Sequence, residues 1–380
     1  MRIAFLTGSL EPGQDGVGDY TALLARECAG LGTTTRVIAL ADRTAKAPQT
    51  VPGERHWLRI PASMPWRRRV EAARCELDAF RPDWVSVQFV PYSFHRWGIA
   101  LRAAESLPRL ARTARLHVML HEIWNDGEGS WRRALLGAAQ RWSIARLCGR
   151  AALVHTSNGT YRRLAGERGL TAAQLPLFGS VPIVTPPNAA VLEPLAAAGA
   201  NDILESRSSW WVLLFFGTIH PEWTPEPLLT QVRTAAAADG KRVAMVSVGR
   251  TGAAGARAWT QMQAGCGAGP MLRVGEQSPE RIGEWLQAAD FGVSTTPYSL
   301  LGKSATAVAM LEHGLPIIVP REDGPAAEAD GSAEGDEQLM LRLDARFGVR
   351  LRSIRRRAPR RRLPDVARQL LQDMERVAHA

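Results

Sequence analysis

Short unbroken apolar runs alternate with longer amphipathic stretches along the whole chain. In the first half the runs are Arg2–Leu6, Arg36–Leu40, Trp84–Gln88, Leu116–Leu120 and Ala152–His155. Continuous apolar runs are what strands buried on both faces require, whereas a strand with one wet face would alternate. Helical periods lie between them at Asp19–Leu31, Trp66–Phe80, Trp131–Leu147 and Asn158–Ala165. The second half restarts the pattern with strands at Trp210–Phe216, Arg242–Val248, Met271–Val274, Phe291–Thr295 and Pro316–Pro320, and helices at Pro225–Ala238, Pro279–Ala289 and Ser304–His313. A last helix, Leu363–Ala378, carries Val366, Leu370, Leu371 and Met374 on one face. No fixed-period repeat exists beyond this alternation, which excludes solenoids and propellers.

Such alternation predicts an α/β fold with parallel sheets. Val184 to Ser209 holds Pro186, Pro187 and Pro194 without any period and divides the chain. The expected organisation is two doubly wound, Rossmann-like domains facing across a cleft, residues 1–185 and 205–345, followed by an Arg-rich segment, 346–362. The helix 363–380 is expected to return to the first domain. Ligands then belong at the carboxyl ends of the strands, on the shared cleft.

The chain has 380 residues, 46% of them hydrophobic, which fits two full cores. No run of about 18 apolar residues and no secretory leader is apparent, so a cytoplasmic place is expected. Cys28, Cys75, Cys148 and Cys266 form no CxxC pair and are expected to be buried thiols; no metal site is expected. The net charge is +10, and ten arginines with a single acid, Asp344, between Arg342 and Arg362 account for +9 of it. Only Lys46, Lys241 and Lys303 are lysines. The acidic segment Glu322–Glu337, with seven carboxylates, reads as a surface loop.

Three loops can carry chemistry. The first follows strand Arg2–Leu6 and holds Gly8, Gly13, Gly16 and Gly18 before a helix expected to open at Asp19-Tyr20. Its spacing, Gly13-x-x-Gly16-x-Gly18, misses the dinucleotide fingerprint, but such a loop at a helix N-terminus can offer backbone N–H groups to an anion. The second is HVMLHEIWND, where His121 and Glu122 end a strand and Gln88 and Thr156-Ser157-Asn158 line the same edge. The third, LLGKSATAVAMLEHGLPIIVP, has a helix capped at Ser304 with Thr306 in its first turn, and Lys303 beside it, a set able to hold a phosphate or diphosphate. It is not a Walker A loop, because Pro297 stands where that motif needs glycine.

In this order the pieces resemble a GT-B glycosyltransferase of the family 4 type, active in cell-envelope and exopolysaccharide synthesis. The resemblance runs over nearly the whole chain: Gly16-Val17-Gly18 with Tyr20 and Leu24, RPDWVSVQF, HEIW, HTSN, FFGTIHPE, SVGRTG, and SPERIGEWLQAADFGVSTTP leading into EHGLPIIVP. It implies a sugar moved from a nucleotide-diphosphate donor to a saccharide, lipid-linked or small-molecule hydroxyl. It further implies retention and neither metal nor resident cofactor, the leaving diphosphate helping to deprotonate the acceptor. It places His121 and Glu122 at the reacting sugar and Asp15, Tyr20 and Gln88 on the acceptor side. Around the donor it places Gly16, Gly18, Gly217, Thr218, His220, Gly249, Arg250, Lys303, Ser304, Thr306 and Glu312.

The family's Arg and Lys on the diphosphate fall here on Thr218 and Trp223, and its two Glu on Leu301 and Ala309. Lys303 and the Ser304-Ala305-Thr306 amides, with His220 or Arg250, remain for the diphosphate. The departures keep two other readings open, an inactive relative that scaffolds polysaccharide assembly and a sugar-nucleotide epimerase. Pro65-Trp66-Arg67-Arg68-Arg69 and the tract Arg350–Arg362 offer contact with the anionic inner face of the cell membrane. A nucleic-acid partner is not expected, since the tract lacks interleaved aromatics.

Overall fold

The computed structural model describes residues 1–13, 15–124, 131–185, 188–264, 269–321 and 335–379. Pro186, Pro187, Cys266 and most of the acidic segment lie outside the described residues. The chain divides into two compact units, Met1–Pro176 with Leu363–Ala380, and Leu177–Arg362.

In the first unit the chain runs β1 (Arg2–Thr7), α1 (Gly16–Gly30), β2 (Thr34–Asp42), β3 (Gln49–Val51), β4 (Glu54–Pro61), α2 (Trp66–Phe80), β5 (Trp84–Phe89), α3 (Pro91–Phe94) and α4 (Leu101–Ala111). It continues with β6 (Arg115–Leu120), α5 (Trp131–Cys148), β7 (Leu153–Thr156), α6 (Gly159–Gly166) and β8 (Ala173–Gln174). The strands form a sheet in the order β3-β4-β2-β1-β5-β6-β7-β8. All neighbours are parallel except the β3–β4 hairpin. The strand order reverses at β1, whose neighbours are β2 and β5, and this is where doubly wound sheets open a crevice.

The second unit contains α7 (Glu193–Ala197), β9 (Trp210–Phe216), α8 (Glu226–Ala238), β10 (Arg242–Val248), α9 (Gly252–Ala264), β11 (Met271–Gly275) and α10 (Pro279–Ala288). After these come β12 (Phe291–Val293), α11 (Ala305–Glu312), β13 (Ile317–Val319), β14 (Met340–Arg342) and α12 (Phe347–Ser353). The sheet order is β11-β10-β9-β12-β13-β14, parallel throughout, with its reversal between β9 and β12. The stretch expected to be a linker contributes core: Val191, Leu192, Leu195, Ala200 and Ile203 are buried with β9 and β10. A 3-10 turn (Val191, Leu192), a short helix (Leu195) and the turns after it (Ala200, Ile203) supply those apolar residues without a periodic run long enough to show in the sequence. The last helix, α13 (Leu363–His379), belongs to the first unit, burying Leu363, Val366, Ala367, Leu370 and Met374 against α1 and β7.

Three expectations are corrected here. Cys28 and Cys148 are buried thiols, but Cys75 is exposed. Asp336, next to the end of the acidic segment, is fully buried instead of lying on the surface. Its carboxylate accepts from the Arg357 guanidinium at 2.9 Å and pairs with Arg362. The Arg tract is therefore partly an internal strap. Arg356 donates to the carbonyls of Leu286, Gln287, Ala289 and His313 at 2.6–3.0 Å, closing the C-terminal ends of α10 and α11 with one cation. Burial lowers its pKa to about 10. Arg352, Arg355, Arg360 and Arg361 remain exposed.

Glu312, at the end of α11, is buried and accepts the Arg362 N–H at 3.0 Å and the Gly179 N–H. It thus holds both segments through which the chain enters and leaves the second unit. Burial raises its carboxyl pKa to about 7, against the pull of those two amides. The folded carboxyl keeps its proton to about pH 7 and the unfolded one releases it near 4.5, so the folded state binds more protons in between. Stability from this group is accordingly lost as pH rises across that window, by roughly 3 kcal/mol in all. Thermal unfolding followed from about pH 5 to about pH 8 is expected to show this fall in wild type and a flatter profile in Glu312→Gln; parallel profiles would remove Glu312 as its source.

Candidate functional site

The carboxyl ends of β1, β2, β5 and β6 in the first unit carry its polar crest. Asp42, the last residue of β2, is fully buried and accepts seven hydrogen bonds, from Ser9 Oγ, Leu10 N, Thr44 N and Oγ1, Ala45 N, and Arg59 Nε and Nη2. Burial pushes its pKa up, but the Arg59 guanidinium and the backbone N–H groups outweigh it and hold the carboxyl well below its usual range. A carboxylate at the end of β2 is where a dinucleotide's ribose binds. Here it is consumed in shaping the turn after β1, which agrees with the failed glycine spacing.

Asp15 caps α1, its carboxylate accepting from Val17 N at 2.9 Å and Gly18 N at 3.1 Å. The helix therefore opens at Gly16 and not at Asp19. Gly18, expected beside the donor, gives its amide to the Asp15 carboxylate, and a Cβ there would lie 2.3 Å from the Ser9 carbonyl oxygen. Gly18 is required by close packing of the turn on the helix. Gly16 is exposed, with no atom within 4 Å of a Cβ built on it.

Tyr20, in the second turn of α1, sets its ring edge-on to His121 with centroids 4.7 Å apart. His121 follows β6, is buried, and has Nε2 at 2.9 Å from Gln88 Oε1 at the end of β5. Burial lowers its pKa to about 3, so the ring is neutral at physiological pH. Tyr20, Gln88 and His121 are thus brought together as the sequence predicts. Glu122 is half-buried on the following residue, where its charge adds to burial in raising the Tyr161 phenol.

Behind His121 lies a feature that sequence reading missed. Gln88 Nε2 is 2.8 Å from Ser86 Oγ, Ser86 Oγ 2.8 Å from His117 Nδ1, His117 Nε2 3.0 Å from His155 Nδ1, and His155 Nε2 3.1 Å from Asp373 Oδ2 on α13. Asp373 Oδ1 in turn accepts from Arg376 at 2.8 Å. Burial lowers the pKa of both His117 and His155, in the latter against the pull of Asp373. The available signal was Ser86, His117 and His155 standing as lone polar residues inside otherwise apolar strands.

In the second unit β9 and β10 are followed directly by Gly217 and Gly249, both in the left-handed region with φ of 80° and 84°. A Cβ on Gly217 would lie 3.0 Å from Thr306 Cγ2, in the first turn of α11. Ser304 caps that helix by accepting from Ala307 N at 3.3 Å and lies 3.1 Å from the Thr306 hydroxyl. Gly217, Gly249, Ser304 and Thr306 therefore come together at strand ends beside a helix N-terminus. Lys303 precedes the cap, half-buried in a 3-10 turn, Tyr298–Lys303. His220 donates its backbone N–H to Thr295 Oγ1 at 2.9 Å, after β12. Thr218 is exposed at the mouth of the same turn, and Arg250 is exposed with Nε 3.5 Å from Glu276.

Glu312, expected beside the donor, accepts from the backbone amides of Gly179 and Arg362. The charged positions missing from the family pattern have physical reasons too. Trp223 is a core residue packed on Phe215, with ring centroids 5.8 Å apart. Ala309 lies against Gly179, where a Cβ would already approach its Cα to 2.9 Å, leaving no room for a longer side chain.

Neither a protein-family model nor a curated protein matches the sequence. Solved structures share its fold. Anabaena HepE in complex with UDP and glucose aligns with a TM-score of 0.55 at 13% identity, over 100% of this chain and 98% of that one. The catalytic domain of starch synthase IV from Arabidopsis thaliana, bound to ADP and acarbose, aligns with a TM-score of 0.55 at 11% identity, covering 100% and 99%. UDP-GlcNAc 2-epimerase from Methanocaldococcus jannaschii gives 0.51 at 10% identity, covering 99% of each chain. These likenesses establish the architecture: the chain has the two Rossmann-like α/β units of the GT-B fold.

Proposed function

We propose that the chain is a glycosyltransferase that moves a sugar from a nucleoside diphosphate donor to a hydroxyl acceptor. The pair of left-handed glycines, Gly217 and Gly249, set against the first turn of α11 carries the reading. Backbone without side chains beside a helix N-terminus lets a diphosphate approach N–H groups and a positive dipole end, with Ser304 and Thr306 hydroxyls and Lys303 alongside. Structures of the same fold hold UDP in HepE and ADP in starch synthase IV, which makes these two bases the first to try. On the first unit, neutral His121 serves as a hydrogen-bonding partner for a sugar or acceptor hydroxyl, with Tyr20, Gln88 and Glu122 around it. We assign the family 4 type, retaining and metal-independent, in which the leaving diphosphate takes the acceptor proton. The epimerase reading stays in play because an epimerase shares the fold over the whole chain.

We also propose work at the inner face of a membrane, but through a surface other than the Arg tract. No helix among the described residues is long and apolar enough to cross a membrane. On α5, Trp131, Leu135 and Trp142 share one face at helical spacing and are 69%, 61% and 46% exposed, opposite the buried Ile144 and Leu147. Arg132 and Arg141 lie on either side of that face. Exposed tryptophan beside arginine suits the boundary between headgroups and acyl chains.

Calorimetric titration with UDP, GDP, ADP and dTDP and their sugar forms is expected to give saturable binding of one base. Lys303→Ala should weaken it about tenfold or more through the lost charge-assisted contact. Silence across the panel from a folded protein would move the assignment to a scaffold. With that donor and an acceptor, release of free nucleotide supports transfer, whereas sugar inversion without release supports epimerisation. His121→Ala is expected to lower turnover about tenfold to a hundredfold while leaving nucleoside diphosphate affinity unchanged. In flotation with vesicles containing anionic lipid, wild type should co-migrate and Trp131→Ser/Trp142→Ser should not; equal flotation of both would exclude α5 as the contact.

A further inference from the structure

The hydrogen-bond chain behind His121 has only one consistent polarity, and a single residue sets it. Asp373 can only accept, so His155 Nε2 carries a proton and donates to it. Neutral His155 then has Nδ1 as its acceptor, which requires His117 to donate from Nε2. His117 Nδ1 accepts in turn, so the Ser86 hydroxyl donates to it and has its lone pairs left for the Gln88 amide N–H. That turns Gln88 Oε1 toward His121, whose Nε2 must be the protonated nitrogen and whose Nδ1 the acceptor. Every donor along β7, β6 and β5 points the same way, from His121 to α13.

We propose that Asp373 is a positioning residue that fixes the tautomer of His121 through His155, His117, Ser86 and Gln88, so that His121 meets its ligand as a hydrogen-bond acceptor at Nδ1. The chain is not a proton wire, because the Gln88 amide gives up no proton at ordinary pH. What it transmits is orientation. Its meaning for sugar transfer rests on the glycosyltransferase reading: a ring accepting at Nδ1 selects a ligand hydroxyl that donates. The assignment of the tautomers does not rest on that reading.

The substitution Asp373→Asn offers a sharp test. Arg376 donates to Asp373 Oδ1, so an asparagine there keeps its carbonyl oxygen toward Arg376 and turns its NH2 toward His155. His155 Nε2 must then accept, so His155 and His117 carry their protons on Nδ1 and Ser86 accepts from His117; turning the Gln88 amide to accept the Ser86 hydroxyl proton passes the inversion on to His121, which then carries its proton on Nδ1. Two-bond proton–nitrogen correlation spectra of protein labelled with 15N-histidine read the two ring nitrogens directly. Expected in wild type are Nε2-protonated, neutral rings at His117, His121 and His155, and Nδ1-protonated rings at the same three in Asp373→Asn. Arg376→Gln, a change at an exposed side chain, should retain the wild-type pattern. A wild-type His121 protonated on Nδ1, or a His121 indifferent to a folded Asp373→Asn, would overturn the proposal. If the variant fails to fold, the wild-type spectrum still decides against the proposal should any of the three rings be protonated on Nδ1. Donor or acceptor KM is expected to rise about tenfold in Asp373→Asn, the worth of one lost hydrogen bond, with nucleoside diphosphate affinity unchanged. Inverted tautomers without any kinetic change would leave the relay standing and remove His121 from the sugar site.

Discussion

A parallel sheet covered on both faces confines polar chemistry to the rim where its strands end. β1, β5, β9 and β10 are buried along almost their whole length, so a hydroxyl, imidazole or carboxylate on them must find its partners inside the protein or stand at the carboxyl edge. Both units obey this constraint. Thr7 through Leu10, Asp42, Gln88 and His121 crown one sheet, and Gly217, Gly249 and Thr295 crown the other. The reversal of strand order beside β1 and beside β9 then opens space at those particular ends.

The same constraint gives meaning to the few polar residues that do lie within strands. Ser86 stands opposite His117 in the register of β5 and β6, and His155 follows one strand over. Each is fully buried, and each would cost free energy if left without a partner. They satisfy one another in line and end on a carboxylate that α13 brings from the far end of the sequence. Asp42 is the complementary case, a carboxylate saturated by its own surroundings and for that reason out of reach of any ligand. A network that is fully satisfied specifies a single arrangement, and both of these do so in one sheet, the first within its strands and the second at its rim.

The fold was legible because its strands are short, continuous and apolar. Trp210–Phe216 and Arg242–Val248 coincide with the observed strands, and the others differ at their ends by one or two residues. Harder to see were β3 and β4, where Glu54, Arg59 and Gln49 break the apolar run, and β14, which lies where the arginines begin. At the site, His121, Gln88, Ser304 and Thr306 were found because strand ends and helix caps leave marks in sequence. Asp42, Asp373, Arg356 and Asp336 were not, since each acts on partners at distances in sequence that no local pattern encodes. Glu312 is the mixed case. Its place on α11 suggested a ligand, and three-dimensional packing sets two backbone amides, of Gly179 and Arg362, on its carboxyl group.

That packing has a topological consequence. The chain leaves the first unit at Pro176 and returns at Leu363, so the second unit is an insertion between β8 and α13. One buried carboxylate holds amides only a few residues from each end of that insertion, Gly179 at one and Arg362 at the other. The two ends of Leu177–Arg362 are therefore neighbours in space, and a short linker would close the segment into a ring without disturbing its sheet. Such geometry is what allows one domain to be lodged within another, since an inserted segment whose two ends meet interrupts its host at a single place.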